Sequence, residues 1–273
     1  MTFFDSKDQL PLWVRDVGTG PAVILIHGWP LNADMWEHQT QFLAENGHRV
    51  LAYDRRGFGR SAQPWRGYDY DTLADDLHAL IEQSGAKEVA LVGFSMGGGE
   101  VARYMTRHGG KRVSHAALVS AVTPYMMKTD DNPDGVDPSV FEEIEKGLRK
   151  DRPAFLSDFG KSFYGADKSP GRVSQAWLDW TLSLAMQGSL HATLKCGDSF
   201  AKTDFREDMK AFPDRTLVVH GTADDTVPID ASGDRAAAMI PSATYERYEG
   251  APHGLFATHA DRLNADLLAF LKS

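Results

Sequence analysis

The sequence predicts an α/β fold, with a mostly parallel central sheet, helices on both faces and one helical insertion. Three observations carry that expectation. Short runs rich in Val, Ile and Leu alternate with amphipathic helical segments. The alternation stops at residue 123 and resumes at 216. A Gly-x-Ser-x-Gly turn lies between one apolar run and a helical segment. Short, continuously apolar runs read as strands buried on both faces, and strand–helix alternation implies a parallel sheet covered on each side.

The elements follow in order. Residues 22–27 (AVILIH), 49–53 (RVLAY), 88–93 (EVALVG) and 116–122 (AALVSAV) are strand candidates, each closed by Gly, Asp or a polar turn. Residues 35–46 read as a helix ending at Gly47. In 71–84, Leu73, Leu77, Leu80 and Ile81 share one helical face, and Gly85 follows as a stop. A third helix is expected over 96–108. From 123 to 215 no strand-like run occurs. A Pro/Asp-rich loop at 130–138 leads into amphipathic material carrying Phe141, Phe155, Phe159, Phe163, Tyr164, Trp177, Trp180, Phe200 and Phe205. The pattern then returns as strand 216–220, helix 229–240, strand 243–248 and helix 255–271. The expected organisation is a core of residues 1–122 and 216–273 with a helical cap of residues 123–215.

Composition removes several function classes. With 29 Lys+Arg against 38 Asp+Glu the formal charge is −9, and no Lys/Arg-rich run is present. Nucleic acid and anionic membrane, which attract basic patches, are therefore not expected partners. Cys196 is the only cysteine, so neither an internal disulfide nor a cysteine-based metal cage can form. The N-terminal segment turns charged before a signal-like apolar core develops, and the apolar runs fall short of the ~18–20 residues of a membrane helix. The expectation is a soluble, cytoplasmic protein.

The chemistry starts at Gly93-Phe94-Ser95-Met96-Gly97, between the run at 89–92 and the helix at 96–108. This is the pattern of a nucleophile elbow, in which Ser95 occupies a sharp strand-to-helix turn and small residues two before and two after it avoid clashes. The helix N-terminus aims backbone amides and the positive end of its dipole at a developing anion. A serine hydroxyl needs a base, and the order expected after such an elbow is serine, acid, histidine. Asp224 lies just past the strand 217–220, on the edge where ligands bind in open α/β sheets, with its neighbour Asp225 as the rival. Of ten histidines, His38, His48, His78 and His108 read as solvated positions, and His27 and His220 as loop-shaping strand ends. His115 and His191 precede the acid. Of the remaining two, His253 sits in the loop Ala251-Pro252-His253-Gly254, whereas His259 falls inside the last helix facing solvent, so His253 is the expected base. Oxyanion donors are expected from the backbone N–H of Met96 and of Trp29; Pro30, next in the loop after the first inner strand, has none to offer. Trp29, Pro30 and Phe94 are the candidate substrate-binding residues, roofed by cap aromatics.

Two other patterns carry less. Asp130-x-Asn132-x-Asp134-Gly135 begins like a calcium loop, but Pro133 interrupts it and Phe141 stands at the twelfth position. Gly57-Phe58-Gly59 opens no helix and reads as a turn at a strand end.

These residues together resemble the α/β-hydrolase superfamily, and within it the cofactor-free bacterial haloperoxidase, perhydrolase and aryl-esterase group. The resemblance is carried by His27-Gly28-Trp29-Pro30-Leu31, by 54–61 (DRRGFGRS), by 93–104 (GFSMGGGEVARY) and by 251–254 (APHG), and it covers nearly the whole chain. It implies the α/β-hydrolase fold and selects Asp224, because the family's acid stands three residues after the Gly of the His-Gly pair. Thr222 departs from the group, whose members often carry Asp there. The implied activity is hydrolysis of small carboxylic esters, aryl and short-chain, through an acyl-enzyme. Hydrogen peroxide competes with water, and the resulting peracid oxidises halide. Pro30 resembles the pattern of members proficient in that perhydrolysis. No metal, haem or other cofactor is implied, and assembly through trimers is. A lactonase, thioesterase or carbon–carbon bond hydrolase is the alternative on the same triad, and a non-catalytic receptor is a third reading. Ser95 argues against dehalogenase and epoxide hydrolase chemistry, which generally uses Asp as nucleophile in this superfamily.

Overall fold

The structure is a computed structural model describing residues 2–273. The chain opens with two strands, β1 (Phe3–Asp5) and β2 (Pro11–Val17), that the apolar runs do not announce. In β2 only Leu12 and Val14 are buried, so its inward residues alternate with exposed or half-buried ones, as in an antiparallel strand with one solvated face. The expected strands follow as β3 (Ala22–Ile26), β4 (Arg49–Tyr53), β5 (Val89–Phe94), β6 (Val113–Val119), β7 (Thr216–Gly221) and β8 (Thr244–Tyr248).

The sheet order is β1-β2-β4-β3-β5-β6-β7-β8, antiparallel through β2 and parallel from β4 to β8. The central strands β3 and β5 are buried along their whole length, because helices cover both faces. Those helices are α1 (Glu37–Glu45), α2 (Tyr70–Gln83), α3 (Met96–Arg107), α7 (Gly233–Met239), α8 (Leu255–Thr258) and α9 (Ala260–Phe270), while α4 (Pro138–Phe163), α5 (Gln175–Met186) and α6 (Leu190–Lys202) lie between β6 and β7. No helix among the described residues is long and apolar enough to cross a membrane.

Four boundaries differ from the sequence expectation. The strand expected over 116–122 is shifted to Val113–Val119, with Ser120 at φ 44° directly after its end. The helix expected from residue 35 begins as a 3-10 turn, Ala33–Trp36, with Asn32 capping it through the Asp34 N–H. The one expected from 229 starts only at Gly233, because 228–232 form turns closed by Pro228 and Ile229 carbonyls. The last helix is split: His259, at φ −129° and ψ 35°, separates α8 from α9 and is half-buried rather than on a solvent-facing helical turn. α4 is interrupted too, at Asp151 (φ −157°, ψ 85°), two residues before Pro153.

Helix α3 descends from the elbow onto the edge of β3. A Cβ on Gly97 would lie 2.5 Å from the Ile26 carbonyl oxygen, a backbone atom that cannot swing aside. Gly97→Ala is therefore expected to lower the unfolding free energy by about 3 kcal/mol, the upper end of overpacking costs, read from urea denaturation. An unchanged midpoint would show that α3 can back away from the sheet.

Candidate active site

Ser95 follows the last residue of β5 and is the N-cap of α3, at φ 52° and ψ −118°. A non-glycine residue at positive φ is strained and persists only where its surroundings over-determine it. Here the Ser95 N–H donates to the Val119 carbonyl of the neighbouring strand (2.9 Å), and its carbonyl accepts from Gly98 N (3.0 Å) and Val122 N (3.3 Å). The side chain makes no capping bond with its own helix. Met96 is the first residue of α3, so its amide is one of the N-terminal N–H groups that have no partner within a helix.

The loop after β3 runs against this turn. A Cβ on Gly28 would meet the Phe94 ring at 2.5 Å and the Ser95 Cβ at 3.1 Å, so only glycine lets the loop approach the serine this closely. Trp29 is anchored by its side chain. Its indole Nε1 donates to the Thr193 carbonyl (2.9 Å), and its ring meets Phe159 and Phe200 edge-on at 5.5 and 5.6 Å. Pro30, after a cis peptide bond, lines a narrow cleft of about 10 Å³ with Leu31, Leu156, Phe159 and Phe163, room for about one water.

Asp224 and His253 meet on the same sheet edge. The loops that carry them are tied together by Thr222 N to Tyr248 O (3.0 Å) and Ala223 N to Ala251 O (3.1 Å). Thr222, the position that departs from the resembled group, accepts the Gly250 N–H on its hydroxyl (2.9 Å). His253 Nδ1 donates to Asp224 Oδ2 at 2.7 Å, and both side chains are buried. The other carboxylate oxygen accepts from Thr226 N (3.0 Å) and Val227 N (2.8 Å). Burial alone would raise the Asp224 pKa. Electrostatic attraction to the His253 ring and hydrogen bonds from His220 and His253 outweigh it and hold the carboxyl well below the usual carboxylate range. His253 Nε2 is buried without a hydrogen-bond partner among the described residues. With the Nδ1 proton committed to Asp224, Nε2 is left as a free acceptor. The rival Asp225 is exposed and paired with Lys168.

Phe94 is wholly buried. Its ring lies 4.8 Å from that of His253 and packs edge-on against Trp36, Phe163 and Phe256. Phe163 also meets His253 at 4.8 Å, and its carbonyl accepts the Gly254 N–H (2.8 Å), which fastens the end of α4 to the His253 loop. The site thus gathers Ser95, Met96, Phe94, Gly28, Asp224 and His253 on the C-terminal edge of the parallel strands.

Sequence reasoning passed over one neighbour of Asp224. His220 reads as loop-shaping, yet its Nε2 lies 2.9 Å from the Val227 carbonyl and 3.3 Å from Asp224 Oδ2. Its place near the end of β7, four residues before Asp224, is the available signal. His48 and His115, read as a solvated position and as one in the wrong order, are both buried. In the calcium-like loop, Asn132 is buried and closes the turn, donating to Tyr125 and Met127 carbonyls and accepting from Arg235. Burial pushes the Cys196 thiol up to about 12, which makes it a packing residue.

The sequence matches the family described as alpha/beta hydrolase fold over residues 21–260. It is 43% identical over 273 residues to a non-heme chloroperoxidase of Kitasatospora aureofaciens, covering 99% of each chain. It is 39% identical over 277 residues to a bifunctional esterase/perhydrolase of Acinetobacter calcoaceticus, covering each chain fully. The fold superimposes on a bromoperoxidase from Bacillus anthracis with a TM-score of 0.95 at 44% identity, covering 99% of each chain. An esterase from Exiguobacterium antarcticum gives 0.94 at 31% identity, over 100% of this chain and 99% of that one. The chain belongs to the α/β-hydrolase family.

Proposed function

We propose that this chain is a serine hydrolase of small carboxylic esters, aryl and short-chain, working through an acyl-enzyme in which hydrogen peroxide competes with water. The observation that carries this reading is the buried His253–Asp224 pair at 2.7 Å, with a free Nε2, on the sheet edge where Ser95 is held at positive φ. Similarity to haloperoxidases and an esterase/perhydrolase supports the choice of substrates.

Ser95 Oγ attacks the acyl carbon while His253 Nε2 takes its proton, and Asp224 stabilises the imidazolium. The Met96 and Trp29 amides stabilise the oxyanion. Collapse breaks the carbon–oxygen bond to the leaving alcohol, which receives the proton from His253. Water or hydrogen peroxide then adds to the acyl carbon, again giving its proton to His253; collapse breaks the bond to Ser95 Oγ, which takes that proton back as the acid or the peracid leaves. A peracid oxidises halide to hypohalous acid and is itself reduced to the carboxylate. Residues 123–215 form the cap, and the Trp29, Pro30 and Phe94 neighbourhood bounds a small acyl site. The single, buried cysteine suits a cytoplasmic setting.

Short p-nitrophenyl esters, lactones, and acetate with hydrogen peroxide separate the readings. Expected are phenolate release from acetyl and butyryl esters and bromination of an indicator only when acetate and peroxide are both present. Lactone turnover without ester turnover, or tight ligand binding with no turnover at all, would overturn the proposal.

A further inference from the structure

Behind the oxyanion loop lies a wholly buried ion pair that the reaction does not touch. Arg55, just beyond β4, and Glu100, four residues into α3, are 1% and 0% exposed and directly bonded. The second Glu100 oxygen accepts from Tyr53 Oη. Against an apolar pair of similar size such a bridge adds little net stability, so stability alone does not explain it. Its geometry does. The same guanidinium donates from Nη2 to the His27 carbonyl (2.6 Å), and the Arg55 backbone N–H donates to His27 Nε2 (2.9 Å).

That second bond decides the ring's state. With Nε2 accepting, the single proton of a neutral imidazole is on Nδ1, which donates to the Gly28 carbonyl at 2.9 Å. Burial, with the Arg55 charge beside it, pushes the His27 pKa well down and keeps the ring neutral. Leu31 N donates to the same Gly28 carbonyl (3.0 Å). The C=O and N–H of a trans peptide point in opposite directions, so holding the Gly28 oxygen aims the Trp29 N–H. Meanwhile Glu100 lies one turn below Met96 on the same face of α3.

We infer that Arg55, Glu100 and His27 are positioning residues that lock the two oxyanion donors to each other, the chain Glu100–Arg55–His27–Gly28 carbonyl setting the direction of the Trp29 N–H relative to that of Met96. This inference rests on the oxyanion roles proposed above. Arginine suits the position because its fork reaches a carboxylate and a carbonyl at once, which a lysine ammonium on a flexible stem does not reproduce.

Two variants test it. Arg55→Lys keeps a cation beside Glu100 but loses the fork. The double variant Arg55→Met/Glu100→Leu removes both charges together and so avoids stranding either one. The readouts are kcat and KM for p-nitrophenyl acetate, the inhibition constant of a trifluoromethyl ketone whose hemiketal mimics the oxyanion, and the thermal midpoint. Loss of one whole donor costs about 10²–10³-fold, so a misaimed one is expected to cost about 10–100-fold in kcat. KM should stay nearly constant, the inhibition constant should rise in proportion to the loss in kcat, and the double variant should melt near the parent. Folded variants with parental kcat and inhibition constant overturn the inference, as does a lowered thermal midpoint with both constants unchanged. Ser95→Ala serves as the separating control. If it is inert while the fork variants are fully active, only the fork inference fails; if it is fully active, the triad reading itself fails.

Discussion

Ser95→Ala is expected to lower kcat for p-nitrophenyl acetate by on the order of 10⁶-fold, the loss typical of removing a triad nucleophile, and to abolish the burst of phenolate at stoichiometric enzyme. The comparison is clean on structural grounds. The Ser95 side chain makes no helix-capping bond, and the three backbone hydrogen bonds that fix the residue at φ 52° do not involve Oγ. Alanine carries the same Cβ at the same positive φ, so the strain is retained and stability should stay near the parent. An undiminished burst would place the chemistry on another side chain.

The second large effect is expected at Asp224. Asp224→Asn should cost about 10⁴-fold in kcat, because it forces the wrong histidine tautomer. The reason lies in the other oxygen. Oδ1 is held by the Thr226 and Val227 N–H groups, so an amide must place its oxygen there and its NH₂ toward His253. Nδ1 then has to accept, the ring proton moves to Nε2, and the base loses its lone pair. Asp225→Asn, at an exposed ion pair, should leave kcat within about twofold. Equal losses at the two positions would refute the assignment.

A stability signature accompanies this substitution. Asp224 has a folded pKa below its unfolded value of about 3.9. Its contribution is therefore fully present above that value and is lost as pH falls through the folded pKa. Urea midpoints measured from pH 6 downward should fall less steeply for Asp224→Asn than for the parent, since the asparagine has no proton to take up.

Much of the molecule is legible in the order of its residues. The strands at 22–26, 49–53 and 89–94 announce themselves because burial on both faces demands continuous apolar runs. Gly93-Phe94-Ser95-Met96-Gly97 is legible because a sharp turn needs small neighbours within two residues. β2 is not legible in the same way: with only Leu12 and Val14 buried, its signal is two residues in an alternating stretch. The break at His259 is equally hidden, since Leu255, Leu263 and Leu267 keep a helical rhythm on both sides of it.

Local pattern by itself determined where the buried parallel strands and most of their covering helices lie, where the elbow falls and which types of residue serve it. Those properties depend on neighbours within one or two turns of chain, which is the range over which a sequence pattern speaks. Tertiary structure alone decided the pairings. It brought His253 onto Asp224 across 29 positions, set His220 against the same carboxylate, and bonded Arg55 to Glu100 behind the Gly28 loop. A contact between distant segments follows from how strands and helices pack in space, and spacing along the chain does not encode the roughly 3 Å on which a proton transfer or an oxyanion depends.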